Sequence, residues 1–391
     1  MIFVNKLKKL DWTILFLLFL FMIVSYFIIS SATLNSSQSV QGNAKKQVIF
    51  FIAGFLMMLC VALFDYRHMI KLAWVGYAFG IILLIGLYLL PESISPILGG
   101  AHGWYDLGPM LFQPAELMKF LLIIAISAYL VRCNGEKLGF FHDVIPIGII
   151  GGIPFVIIAL LPDLGNAVIL LVVMLGLYWI GNIKFTHVLL GAAAITIVVG
   201  GFLLLFVQFH EPVSKAMTNV GGEHWVGRID TFLKLEGQED AQGDDYQAEQ
   251  SKQAIATGSL FGEGYKNGPY VQGGNVPVIY SDAIFVVVAE EFGFIGSSVL
   301  LMLYFFLIYR MIVIAMECTD RGGGFLIIGI VSLYVFQIFQ NIGMFIELMP
   351  ITGITLPFVS YGGTSLLINL LAMGIVLSVK IHGNKPVEGQ L

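Results

Sequence analysis

Trp12-Thr-Ile-Leu-Phe-Leu-Leu-Phe-Leu-Phe-Met-Ile-Val-Ser-Tyr-Phe-Ile-Ile-Ser-Ser31 carries no ionisable acid or base, and its length matches the roughly 20 residues a helix needs to cross a hydrocarbon core. Lys6, Lys8 and Lys9 precede it, which gives the run the outline of a secretory signal. It is longer than a signal core and ends without a small-residue cleavage site, so we read it as a retained first transmembrane helix. Similar runs recur to the end of the chain. With 58% hydrophobic and only 12% charged residues, the composition excludes an ordinary soluble domain.

Windows of about 19 residues place apolar spans near 12–31, 47–64, 69–90, 117–132, 143–161, 164–180, 186–208, 295–317, 324–346 and 361–382. The expected fold is therefore an all-α polytopic membrane protein of about ten transmembrane helices. It forms a single domain over residues 1–391, with one long extracytoplasmic loop, 209–281, between helices 7 and 8. Basic residues test the sidedness. Ten spans with a cytoplasmic N-terminus put Lys6, Lys8, Lys9, Arg67, Lys71, Arg132, Lys137, Lys184, Arg310, Arg321, Lys380 and Lys385 inside, 12 of the 20 Lys and Arg. Of the 25 Asp and Glu, 18 fall outside. That asymmetry favours ten spans over nine or eleven. The long loop is expected to hold short amphipathic helices and to be mobile around Gly237 to Asp245. Cys60, Cys133 and Cys318 suggest neither a disulfide framework nor a metal cluster.

Ionisable residues at membrane depth are costly and mark function. Four polar clusters fall at the outer end. Gly99 to Pro109 contains His102, Trp104 and Tyr105 and runs into Gln113-Pro114-Ala115-Glu116-Leu117-Met118-Lys119. Pro114 suits a first helical turn, and Glu116 and Lys119 share a face at i,i+3. The pair reads either as a helix-start salt bridge beside an aromatic anchor or as a polar floor for an anionic or sugar substrate. Pro162-Asp163-Leu164-Gly165-Asn166 joins two spans, and helix capping alone would explain Asp163. Tyr246-Gln247-Ala248-Glu249-Gln250-Ser251 leads to Gly258, Gly262, Gly264 and Gly268, which allow sharp turns or close approach to a ligand but form no phosphate loop. Val276 to Phe285 contains Ser281-Asp282 and continues to Glu290-Glu291-Phe292-Gly293. Asp282 is partly desolvated there, with its pKa expected to be raised, and is either a proton acceptor or an N-cap. A last uncharged run, Leu348 to Ser365, is dense in Pro, Gly and hydroxyls, with Ser360 near its end. We read it as a re-entrant segment bordering the same cavity.

Together these runs resemble the SEDS family (shape, elongation, division and sporulation) across most of the chain. The resemblance rests on Gln113 to Glu116, Pro162 to Gly165, Gln250 to Gly268, Asp282 to Phe294 and Pro350 to Ser365. Two positions depart from the family pattern: Gly103 stands where an Arg often precedes the Trp, and Leu161 where a Gln usually precedes Pro-Asp. His102 is one substitute for the missing Arg. The short termini and the first motif incline towards the elongation type.

The resemblance implies a peptidoglycan glycosyltransferase that polymerises lipid II on the outer face of the bacterial cytoplasmic membrane. It implies inverting transfer with Asp282 as catalytic base. It also implies Trp104, Glu116, Lys119, Asp163, Gln250, Ser251 and Ser360 as substrate-binding residues. The leaving diphosphate needs positive charge, from Lys119, Arg228 or Lys252, or from a divalent cation such as Mg or Mn, for which no dedicated ligand motif exists. No organic cofactor and no nucleic acid is expected. The expected partners are lipid II, membrane lipids and a class B penicillin-binding protein that crosslinks the product. The rival readings are a lipid II flippase, which needs polar residues near midplane, and a noncatalytic scaffold.

Overall fold

A computed structural model describes residues 8–35, 38–97, 103–108, 110–219, 226, 244–276 and 279–383. His102, Arg228, the segment 237–243 and the terminal Lys6, Lys385 and Glu388 lie outside these residues. Each predicted span has a helix over it: α1 Trp12–Ala32, α2 Asn43–Leu63, α3 Ala73–Leu89, α4 Pro114–Arg132, α5 Ile145–Leu160, α6 Leu164–Ile180, α7 Phe185–Gln208, α8 Ile284–Glu317, α9 Arg321–Phe345 and α10 Gly363–His382. Among the described residues eight helices, one of them α5 with its preceding π turn, are long and apolar enough to cross a membrane; α3 and α6, at 17 residues each, lie at the short end of the spanning range. Three departures stand out. The 69–90 run divides at Leu72 into a short helix, Tyr66–Lys71, and α3. A two-residue antiparallel ribbon, β1 Tyr105–Asp106 with β2 Leu111–Phe112, interrupts the all-helical pattern. Finally, the apolar window near 295–317 covers only part of α8, which begins at Ile284, just past the expected end of the long loop at 281.

The most buried helices are α4, α9 and α10, and the others pack around them. α10 runs along α2, where Gly54 faces Leu370 and Gly374 faces the Met58 carbonyl too closely for a side chain on either glycine. α9 packs on α4, α6 and α8, and α1 on α2 and α8, whereas the described side chains of α7 are mostly exposed.

The connections gather at two ends. At one end Arg310 pairs with Asp11, Tyr66 donates to Asp320, Thr319 to the Gly383 carbonyl and Asn182 to that of Gly135. At the other end Asn35 donates to the Gln272 carbonyl, the Tyr361 amide to that of Tyr280, and Thr364 to that of Leu111. All four polar clusters lie at this second end, away from residues 8 and 383.

The late start of the apolar window over α8 has a physical cause. Glu290 and Glu291 depress the hydropathy of its first turns, yet both are buried. Glu290 accepts the Tyr270 and Val271 amides at 2.7 and 2.9 Å, and Glu291 accepts from Ser31 and Gln272. Just beyond, Gly293 sits at φ 64°, ψ −160°, a conformation essentially reserved for glycine, and breaks the helix. The freed groups are re-satisfied by the glycine-rich segment. Glu263 and Gly264 amides donate to the Glu290 and Glu291 carbonyls, while Phe294 and Ile295 amides donate to those of Ser259 and Leu260. A Cβ on Gly258 or Gly262 would fall 1.9 Å or 2.2 Å from a carbonyl oxygen of α8. These glycines therefore serve approach to protein backbone.

Candidate active site

Asp282 lies one residue before the N-cap of α8. That cap is Ala283, which makes no side-chain hydrogen bond, so neither Ser281 nor Asp282 caps the helix. Capping, the structural explanation open for this carboxylate at the sequence level, does not apply. Its Oδ1 accepts from Ser281 Oγ at 2.8 Å. Among the described residues no hydrogen bond reaches Oδ2, which faces Gly353; a Cβ there would stand 3.3 Å from it. Burial pushes the carboxyl up from its ordinary 3.8 to about 6, against the Ser281 hydrogen bond, and the charge of Asp163 adds to the rise.

The backbone beneath Asp282 is held from α9 and from the irregular segment between α9 and α10. Asn341 donates to the Asp282 carbonyl at 2.8 Å and to that of Ile354 at 2.6 Å. Gln337 and Gln340 donate to the Thr355 and Pro350 carbonyls at 2.9 and 3.2 Å. Three amides on an apolar helix thus replace the water that irregular backbone would otherwise need. Sequence reasoning passed over all three, although polar side chains inside a spanning helix were the available signal. Ser360 is buried, donates to the Ser281 carbonyl at 2.6 Å and accepts the Leu356 amide at 2.8 Å. Its hydroxyl therefore positions the Asp282 loop.

Asp163 caps α6, accepting the Asn166 amide at 3.1 Å, and also takes the Asn166 and Gln113 side-chain amides at 2.8 and 3.2 Å. The Gln113 bond ties the start of α4 to the start of α6. Gly165 explains the proximity to Asp282: its α-carbon rests on the irregular segment, and a Cβ would stand 2.8 Å from both Ile354 Cγ1 and the Thr352 carbonyl. The Gln113, Asp163, Gly353 and Asp282 motifs, remote in sequence, thus meet at one place.

Glu116 and Lys119 form the anticipated pair at 2.7 Å, with Lys119 fully buried and Glu116 Oε2 lacking a hydrogen-bond partner among the described residues. Trp104 is half-buried beside β1. Gln250 and Ser251 lie on the loop helix Asp244–Thr257, which packs on α8; the buried Ser251 hydroxyl has no hydrogen-bond partner among the described residues. Lys252 pairs with Glu347 at 3.1 Å and is exposed. Among the described residues, no hydrogen bond or ion pair joins Trp104, Gln250, Ser251 or Lys252 to Asp282. Nor is any group of three or more His, Cys, Asp or Glu among them placed to hold a metal ion. Asp163, the carboxylate nearest in effect to Asp282, already has both oxygens engaged by amides.

Comparison with known proteins shows the family. The chain is 32% identical to stage V sporulation protein E of Bacillus subtilis over 341 residues, 86% of each chain. It is 32% identical over 385 residues to a probable peptidoglycan glycosyltransferase FtsW of Pseudoalteromonas translucida, covering 94% of this chain and 89% of that one. It is 29% identical to peptidoglycan glycosyltransferase MrdB of Escherichia coli, covering 95% and 94%. Its fold matches a chain from a peptidoglycan synthase complex solved for the coordination of polymerization and crosslinking, with TM-score 0.75 at 24% identity over 95% of this chain and 97% of that one. The rod shape determining protein RodA of Thermus thermophilus matches with TM-score 0.68 at 23% identity over 96% and 98%. The model of the cell cycle protein family of FtsW, RodA and SpoVE covers residues 8–385, and the chain belongs to that family.

Proposed function

We propose that this peptidoglycan glycosyltransferase polymerises lipid II by inverting transfer, with Asp282 as the base. The observation that carries the proposal is a half-buried carboxylate that caps nothing, keeps one oxygen free of hydrogen bonds among the described residues and is poised near pH 6. The acceptor's 4-hydroxyl attacks the anomeric carbon, the bond to the diphosphate oxygen breaks with its electron pair, and the hydroxyl proton passes to Asp282. With its pKa near 6, about nine-tenths of this carboxyl is ionised at pH 7, close to the optimum for a general base. Asp163 supports ionisation chemistry indirectly, by fixing the loop geometry and raising the basicity of its neighbour.

The concentration of short-loop Lys and Arg at the end carrying both termini supports a cytoplasmic location for that end and an outer location for Asp282. Buried Lys119, with Glu116 beside it, is the fixed cation we assign to the polar floor under the diphosphate. Mg or Mn, if bound, would offset leaving-group charge through the substrate's own diphosphate oxygens, leaving Asp282 as the base. Lipid II, surrounding lipids and a class B penicillin-binding protein complete the partner set. The test is polymerisation of labelled lipid II by purified protein, wild type beside Asp282→Ala, with and without that partner. Glycan chains made by the variant at the wild-type rate would remove the base assignment, and lipid II translocation without chain formation by wild type would favour a flippase.

A further inference from the structure

At the end opposite Asp282, the first turn of α1 and the last turns of α8 and α10 enclose an open cleft of about 510 Å³, lined by Lys8, Lys9, Asp11, Trp12, Arg310 and Lys380 among others. Its one lining acid, Asp11, and Glu317, the partner of Lys380, are already spent. Asp11 is buried, accepts the Ile14 amide on Oδ1 and takes the Arg310 Nη2 and Nε on Oδ2 at 2.6 and 2.7 Å; Lys380 pairs with Glu317. Lys8 and Lys9 are exposed and make no ion pair among the described residues. Four cations thus converge on two carboxylates. A preference for basic loops on one side of a membrane explains why lysines occur at this end, but not why they gather on a cleft between three helices.

We propose that this cleft holds the phosphate head group of an anionic phospholipid from the leaflet at the terminal end of the bundle. Two features favour a lipid over a free phosphate ion. The cleft is built from the ends of α1, α8 and α10, three helices long and apolar enough to cross a membrane, and such ends suit head-group height. From its rim runs a stripe on α1, Trp12, Phe16 and Phe19, exposed by 68%, 60% and 47%, at the i, i+4, i+7 spacing of one helix face. Trp12 suits the interface itself, and the stripe offers an acyl chain a continuous apolar track below the bound head group.

The test uses the full-length protein in detergent micelles and counts retained lipid by native mass spectrometry. Phosphatidylglycerol, phosphatidylcholine and inorganic phosphate are titrated separately. Lys8→Gln with Lys9→Gln is expected to weaken phosphatidylglycerol retention roughly 30-fold, at about fivefold per surface cation, with an unchanged thermal midpoint. Lys45→Gln with Lys46→Gln, the same charge change at the opposite end of the molecule, is expected to leave retention unaltered. Equal losses in the two double variants, equal retention of phosphatidylcholine by wild type, or binding of inorganic phosphate with the affinity of phosphatidylglycerol would each overturn the proposal.

Discussion

Gly165→Ala tests whether the site depends on the close approach of α6 to the segment between α9 and α10. The added methyl would stand 2.8 Å from Ile354 Cγ1 and 2.8 Å from the Thr352 carbonyl oxygen. Ordinary carbon contacts lie at about 3.5–4.0 Å, so relief requires a displacement of roughly 1 Å. Ile354 can turn its side chain, but Thr352 presents backbone, and the next residue is Gly353, against which Asp282 rests. The movement is therefore transmitted to the carboxylate. Overpacking of this size costs about 1–3 kcal/mol of stability, and a misplacement of about 1 Å at a reacting group costs up to about 100-fold in rate. We expect the initial rate of glycan formation from labelled lipid II to fall between about 10- and 100-fold, more than the loss of folded protein explains. Gly152→Ala in α5 is the control, since a Cβ there meets nothing within 4 Å. It should keep its rate and gain up to about 1 kcal/mol from helix propensity. A Gly165→Ala protein that polymerised at the wild-type rate would refute the reasoning.

Other expectations follow from burial and backbone geometry. Because the folded pKa of Asp282 is raised, its favourable contribution is present below about 3.8 and lost as pH rises through about 6. Asp282→Asn should accordingly melt higher than wild type at pH 7.5, by about 1–2 kcal/mol after discounting for partial exposure, and the gain should vanish below about pH 4. Lys119→Met strands buried Glu116 and should cost about 3–5 kcal/mol in thermal or denaturant unfolding, while adding Glu116→Gln should restore most of it. Gly293→Ala forces a left-handed strained residue within 2.4 Å of the Gly262 amide nitrogen, so folded yield measured by size-exclusion chromatography should collapse.

Much of the fold is legible in hydropathy because a bilayer demands apolar runs of nearly fixed length. The α6 limits coincide with the predicted 164–180, and α1 and α7 agree within a residue. The start of α8 is not legible this way, since two acids that protein amides and hydroxyls satisfy look, in one dimension, like acids in water. The site divides similarly. The Glu116–Lys119 pair and the Asp163 cap are local and follow from helical spacing. The juxtaposition of Asp163, Gly353 and Asp282 is a tertiary fact created by the close contact at Gly165; the sequence indicated only that the polar clusters and the re-entrant run border one cavity. Ser360 shows the converse: a conspicuous hydroxyl in a telling motif, already occupied by backbone on both sides.

The central claim is that Asp282 accepts the proton of the attacking sugar hydroxyl. Its most direct measurement is kcat/KM for lipid II polymerisation from pH 4.5 to 8, for wild type and Asp282→Asn. The account predicts a wild-type profile that rises with a midpoint near 6 and a variant reduced to a low rate without that limb. A variant polymerising at the wild-type rate with the same pH dependence would contradict it.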